Sequence, residues 1–234
     1  MAQIQPLPGE AAACPTPADL VAELKPRLRG WLHAGTAPLA VVGGVLLVLL
    51  APAGSARLGC AVFAASAVAL FTVSATMHRG HWSPGTARLL TRLDHAGIFL
   101  LIAGTYTPYA VLLLAGTDRV VLLVVVWSGA AAGIAFRMLR PQAARWVYTP
   151  LYLALGWVAV LYAPAFAHAA GTAVLVLVAS GGLLYTVGAV VYGLRWPNPA
   201  PLWFGFHEIF HTCTVLAFAA HYTGVTIAAT HALR

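Results

Sequence analysis

Charge is scarce in this chain: charged residues fill 8% of its 234 positions, where a soluble domain carries about 25%. A soluble fold could not cover itself with so few, so the water-soluble globular classes are excluded. Lysine occurs once, as Lys25, ahead of every apolar run. A retinal protein, whose Schiff base needs a lysine within a helix, is thereby disfavoured. Cysteine occurs three times, as Cys14, Cys60 and Cys213. These lie too far apart for a paired metal motif, and an odd count gives no disulfide framework. Residues Met1 to Pro17 carry Pro, Gly and Glu in place of a basic stretch followed by an apolar core. No cleaved signal peptide is evident there, and insertion is expected to come from the helices themselves.

What is present is apolar. Hydrophobic residues make up 61% of the chain, against about 45–50% in ordinary domains. Runs long enough to cross the hydrocarbon, at about 20 helical residues each, recur along the whole length. The expectation is an all-α membrane protein of seven transmembrane helices. The spans run from Thr36 to Ala51, Leu58 to His78, Asp94 to Ala115, Val120 to Leu139, Trp146 to Tyr162, Thr172 to Leu194 and Phe204 to Ala229. Pro and Gly clusters punctuate most of them, at Ala51 to Gly54, His81 to Gly85, Pro141 and Trp196 to Pro201. Residues 1–30 are expected to form a cytoplasmic N-terminal segment, partly disordered, and residues 31–234 the transmembrane domain.

The formal charge of +7 arises from basic residues scattered between apolar segments, which fits topology and not a nucleic-acid partner. Cytoplasmic loops are enriched in Lys and Arg. With the N-terminus inside, the inner segments hold Lys25, Arg27, Arg29, Arg79, Arg88, Arg92, Arg137, Arg140, Arg145 and Arg195, and the outer ones Arg57, Arg119 and Arg234. Ten against three places the N-terminus in the cytoplasm and the C-terminus outside, opposite to a G-protein-coupled receptor. Twelve arginines to one lysine, with abundant Ala and Gly, point to a GC-rich bacterial genome and hence to the bacterial plasma membrane.

Ionisable groups within a bilayer are costly and mark function by default. His207 and His211 are four apart, which puts both imidazoles on one helix face and suits two ligands of one metal. Interior histidines bonded to backbone or to each other are the plain alternative. Topology adds weight, because His78 ends the second span, Asp94 opens the third and His207 and His211 begin the seventh, all at the same depth. Three neutral imidazoles with a fourth position open to water form the usual catalytic pattern for zinc. Thiolate sites lack nearby cysteines, and calcium or magnesium sites would need more carboxylates.

Ser74 lies one turn before His78 on the same face. Its hydroxyl could steady water or an oxyanion, or bond to its own helix carbonyl. Asp94 is open to three readings: direct ligand, acceptor that orients water and takes its proton, or helix-capping carboxylate. His207 to His211 also fits the H-E-x-x-H pattern of zinc proteases, with Glu as base. No third downstream ligand is obvious, and Glu208 sits about 100° around the helix from the imidazoles. His33, His81, His168 and His231 fall in loops or near termini and read as solvated. His95 is interfacial and placed to orient Asp94. His221, about 15 Å along the axis from His211, reads as a buried polar partner between helices.

Three signatures resemble the hemolysin III family, within the progestin and adipoQ receptor superfamily and the wider group containing alkaline ceramidases. Ser74-Ala75-Thr76-Met77-His78 resembles its Ser-x-x-x-His element. Leu93 to Ile98 with Ile102 to Pro108 resembles the third-helix signature, and His207 to Tyr222 the His-x-x-x-His element. Lys25 to His33 and Gly181 to Tyr192 are similar to family stretches as well. The resemblance implies seven helices, a cytoplasmic N-terminus, and zinc held by His78, His207 and His211 with Asp94 and Ser74 beside it. Thr76-Met77 stands where Leu-Tyr is more usual, which bears on packing and leaves the ligand set intact.

The expected activity is zinc-dependent hydrolysis of a membrane-lipid amide or ester, with Asp94 accepting the proton and Ser74 steadying the oxyanion. A receptor or sensor with structural zinc and a pore-forming cytolysin are the other classes. No repeated charged face is present to line a pore, and no internal repeat of the carrier kind is seen.

Overall fold

The computed structural model describes residues 26–232. Cys14, Lys25 and Arg234, and most of the expected N-terminal segment, lie outside them. Among the described residues the chain is helical, without a β-strand. Its elements are α1 (Trp31–Leu50), α2 (Ser55–Arg79), α3 (Pro84–Leu113), α4 (Gly116–Leu139), α5 (Arg145–Gly156), a 3-10 stretch (Trp157–Tyr162), α6 (Ala163–Leu194) and α7 (Phe206–His231).

Local chemistry sets the ends of these helices. Between α1 and α2, Gly54 adopts φ 86°, a conformation that costs a residue without Cβ nothing. The Arg57 guanidinium there donates twice to the Ala51 carbonyl, at 3.0 and 3.2 Å, capping an otherwise orphaned acceptor. Ahead of α3, Ser83 Oγ accepts from the Thr86 N–H at 3.3 Å and Pro84 takes the first helical position, the favoured arrangement for a helix start. The third helix therefore begins at Pro84, not at Asp94. Asp94 lies about three turns inside it, so the capping reading of its carboxylate falls.

Six helical stretches are long and apolar enough to cross a membrane. Five are α1, α2, α3, α4 and α7, and the sixth is the 50-residue stretch Arg145–Leu194. Within that stretch helical geometry resumes at Ala163, directly after Tyr162, and breaks at Gly171, whose φ of 79° and ψ of 172° are not helical. Helix thus continues beyond Tyr162, the expected end of the fifth span, and the expected start of the sixth at Thr172 coincides with the break.

Burial sorts the side chains by size and place. Phe63, Phe71, Phe99, Tyr109, Leu122 and Phe166 are sealed in the core, while Leu39, Leu49, Val124 and Leu161 point outward, as helices facing lipid require. Small residues let the inner helices approach. A Cβ on Gly104 of α3 would sit 2.1 Å from Ser66 Oγ of α2, the close contact that small residues permit between membrane helices. Before α1 the chain is strapped to the segment preceding α7, with Arg27 N–H donating to the Leu202 carbonyl at 2.9 Å and Leu28 N–H to Trp203 at 3.3 Å. Farther along, Tyr222 of α7 donates to the Gly43 carbonyl of α1 at 2.9 Å. These ties bring the starts of α1 and α7 to the end of α2.

Candidate metal centre

Three helix ends meet where the strap closes. His78 is in the last turn of α2, and His207 and His211 open α7. One ligating atom from each of the three lies within 4.8 Å of the others. His78 Nε2 and His207 Nε2 are 3.1 Å apart. The His211 ring centroid is 5.2 Å from that of His78 and 4.5 Å from that of His207. Tetrahedral zinc with Zn–N bonds of about 2.0–2.1 Å would hold its nitrogens about 3.3 Å apart. The donor set is all imidazole, of the borderline softness zinc accepts, so these residues fit such an ion.

Asp94 shares a cavity lining with His207, and Ser74 lies one turn before His78 on α2. Asp94 lies outside the mutually close set of three and lines a cavity with His95 and His207. Ser74 is buried, and its hydroxyl faces Asp94 without a hydrogen bond of ordinary geometry. The alternative in which Ser74 bonds to its own helix is not what the chain does. Ser66 on the same helix does so, to Phe63 O at 2.8 Å, whereas Ser74 Oγ makes no such bond and faces Asp94.

Several expectations are corrected here. His33 is not solvated: it is in the first turn of α1, 2% exposed, and stacked flat on His211. His81, His168 and His231 are exposed as expected. His95 does not orient Asp94, because its ring nitrogens are taken up by the Thr91 carbonyl at 2.7 Å and the Tyr192 hydroxyl at 3.2 Å. Glu208 is not a free base of the protease kind. One carboxylate oxygen pairs with Arg29, and the other accepts the Gly205 N–H at 2.8 Å as a helix cap. His221 is buried between helices as read, its ring stacked on Tyr185 at 5.8 Å and pressed against Gly181. Cys60 and Cys213 are free and buried.

Gly30, the residue preceding α1, explains how His33 reaches the site. It holds φ 81°, and a Cβ there would lie 2.6 Å from His78 Cβ, so the backbone rests directly on a candidate ligand. From His207 a cavity of about 190 Å³ runs into the bundle. Asp94, His95, His207 and Tyr192 line its polar end, and Ile98, Phe166 and Val178 are among its apolar walls. This is the usual composition of a small-molecule site, mostly apolar with a few convergent polar groups.

A family model described as Haemolysin-III related matches residues 21–222. The chain belongs to that family. Hemolysin-3 of Bacillus cereus is 33% identical over 164 residues, covering 68% of this chain and 74% of the relative. A hemolysin-3 homolog of Bacillus subtilis (strain 168) is 35% identical over 150 residues, covering 63% and 70%. A progestin and adipoQ receptor-like protein 1 of Caenorhabditis briggsae is 40% identical over 48 residues, 18% of this chain and 11% of the relative. With six stretches able to cross a bilayer, this haemolysin-III related chain is a multi-pass integral membrane protein.

Two neighbours of the histidines in this haemolysin-III related protein were not legible as site residues from its sequence. Arg29 fixes Glu208, and His33 covers His211. The depth argument that grouped His78 with His207 would have captured His33 as well, had the first helix been started at Trp31 and not at Thr36.

Proposed function

We propose that this chain is a zinc-dependent hydrolase of a membrane-lipid amide or ester. The observation that carries the reading is the meeting of three imidazoles within 4.8 Å, one of which, His207, lines an apolar cavity together with Asp94. His78, His207 and His211 would hold the metal. When bound, zinc supplies Lewis acidity, bringing the pKa of water to about 7 and polarising a carbonyl. Asp94, close by but outside the three, accepts the proton. The buried Ser74 hydroxyl, which faces Asp94, donates to the developing oxyanion. The apolar walls take the lipid's chain, which enters sideways between helices.

The same reading sets the topology. Fifty helical residues would extend about 75 Å at 1.5 Å each, more than twice the roughly 30 Å of a hydrocarbon core. Arg145–Leu194 therefore crosses twice with its turn at Gly171, giving seven crossings. The ten-to-three bias in Lys and Arg supports an N-terminus and a histidine cluster at the cytoplasmic face of a bacterial plasma membrane.

Metal analysis of purified wild type beside His211→Ala, followed by lipid-product profiling, tests the proposal. About one zinc per wild-type chain, lost in the variant, together with release of lipid products by wild type, is the expected result. The 48-residue match to receptor-like proteins favours a second reading, a sensor with structural zinc. Zinc bound without product in wild type would establish that one and remove the hydrolase.

A further inference from the structure

His221 lies ten residues beyond His211 on α7, about 15 Å along the axis, and is 8% exposed. Gly181 of α6 leaves it room, since a Cβ there would lie 2.5 Å from the His221 Nε2. The Tyr185 ring stacks on the imidazole at 5.8 Å and 18°, and the Tyr109 ring stands edge-on at 6.2 Å. The Tyr109 hydroxyl also donates to the His221 carbonyl at 3.1 Å. Contacts from α3 and α6 thus fix the imidazole, yet its Nδ1 has no hydrogen-bond partner among the described residues, and neither has the Tyr185 hydroxyl. Thr105 and Thr214 nearby are satisfied, bonding back to the Leu101 and Phe210 carbonyls at 2.7 and 3.0 Å. A buried donor or acceptor left unpaired is costly, and two held side by side call for one partner that serves both.

Tyr185 and His221 line the same cavity as Asp94 and His207, with Phe166 and Val178 among its apolar walls. Nδ1 donates in one neutral tautomer of His221 and accepts in the other, while the Tyr185 hydroxyl does both. A hydroxyl, itself donor and acceptor, complements the pair in either tautomer. A carbonyl oxygen does so in only one, and a charged group would be desolvated at high cost. We propose that Tyr185 and His221 form a polar subsite that binds a hydroxyl on the chain of a lipid held in this cavity. The inference rests on the lipid reading of the cavity given above and narrows it to hydroxylated chains. Spacing locates the hydroxyl. From Tyr192, whose ring lies 5.9 Å from that of His207, to Tyr185 is about 10 Å of α6, and from His211 to His221 about 15 Å of α7. An extended chain advances about 1.2 Å per bond, so the recognised hydroxyl falls at about the ninth to thirteenth carbon from the reacting carbonyl.

The test uses the full-length protein purified in detergent and titrated with stearic acid, plain or hydroxylated at carbon two, ten or twelve, while native mass spectra and thermal unfolding are recorded. Wild type is expected to bind the acid hydroxylated at carbon ten or twelve about tenfold or more tightly than plain stearic acid. The acid hydroxylated at carbon two should bind no better than the plain one. Tyr185→Phe, which keeps the stack and removes the hydroxyl, should abolish most of the preference while binding plain stearic acid as wild type does. Equal binding of all four acids by wild type overturns the subsite, as does retention of none of them. So does a preference for carbon two alone, or a Tyr185→Phe variant that keeps the wild-type preference. Should Tyr185→Phe fail to fold, the wild-type comparison decides by itself. Binding needs no turnover, so a chain that prefers the hydroxylated acids yet releases no lipid products keeps the subsite and loses the hydrolase. One that releases products without discriminating among the acids loses the subsite alone.

Discussion

The imidazoles of His33 and His211 lie face to face, their ring centroids 3.8 Å apart and their planes 7° from parallel. Phe71 backs His33 edge-on at 5.0 Å, so His211 is held between its own helix and a rigid plate from α1. A ligand ring fixed in this way has its nitrogen aimed before the metal arrives, and loss of such support typically costs about 10–100-fold in metal affinity. His33→Ala is expected to weaken zinc binding by that order in chelator competition. His33→Phe, which keeps a flat ring, should restore most of it. A phenylalanine variant as weak as the alanine one would mean that the imidazole nitrogens, and not the stack, support the site.

Asp94 should separate from the histidines in function. Replacing His207 or His211 removes a candidate ligand and should empty the site. Asp94→Asn, at a residue outside the mutually close three, should keep most of the metal and stop lipid turnover. The metal-to-protein ratio and the product profile, measured on the same preparations, distinguish the two. Equal loss of metal and product in all three variants would refute a separate role for Asp94.

How far the sequence led depended on what kind of force set each feature. Helix existence follows from apolar composition, and the expected spans fall on six helical stretches, the fifth and sixth sharing Arg145–Leu194. Helix starts depend on capping, which is why the Ser83–Thr86 bond and Pro84 moved α3 ten residues ahead of Asp94. His78, His207 and His211 were legible because an i, i+4 pair and a shared depth are one-dimensional facts. The stacking of His33 and the engagement of Glu208 by Arg29 were not. Both depend on the strap before α1 folding onto the start of α7, a pairing of residues 179 positions apart that no local pattern encodes.

Glu208 distinguishes this site from a zinc-protease helix. A general base must be free to take a proton, and both oxygens of Glu208 are already occupied. Glu208→Gln should therefore leave zinc content and lipid turnover close to wild type. Stability should fall, since a hydrogen bond to a charged group contributes about 1.5–3 kcal/mol, with the 19% exposure of Arg29 favouring the lower end. Thermal unfolding alongside product profiling checks both halves. Abolished turnover with intact metal and fold would return the protease-type role to Glu208.

The double crossing of Arg145–Leu194 can be read in intact cells. Ala169 is exposed two residues before the Gly171 break, and Gln142 is exposed in the loop ahead of α5. If the segment turns at Gly171, these positions face opposite sides of the membrane, some 27 residues or about 40 Å of helix apart. Cys60 and Cys213 are buried and should label poorly, and with Cys14 replaced by serine the background is low. Ala169→Cys is expected to react with a membrane-impermeant maleimide added to whole cells, and Gln142→Cys to react after permeabilisation. The reverse pattern would invert the orientation and put the histidine cluster at the outer face. Labelling of both positions from one side would remove the crossing between them, and with it the seven-crossing topology.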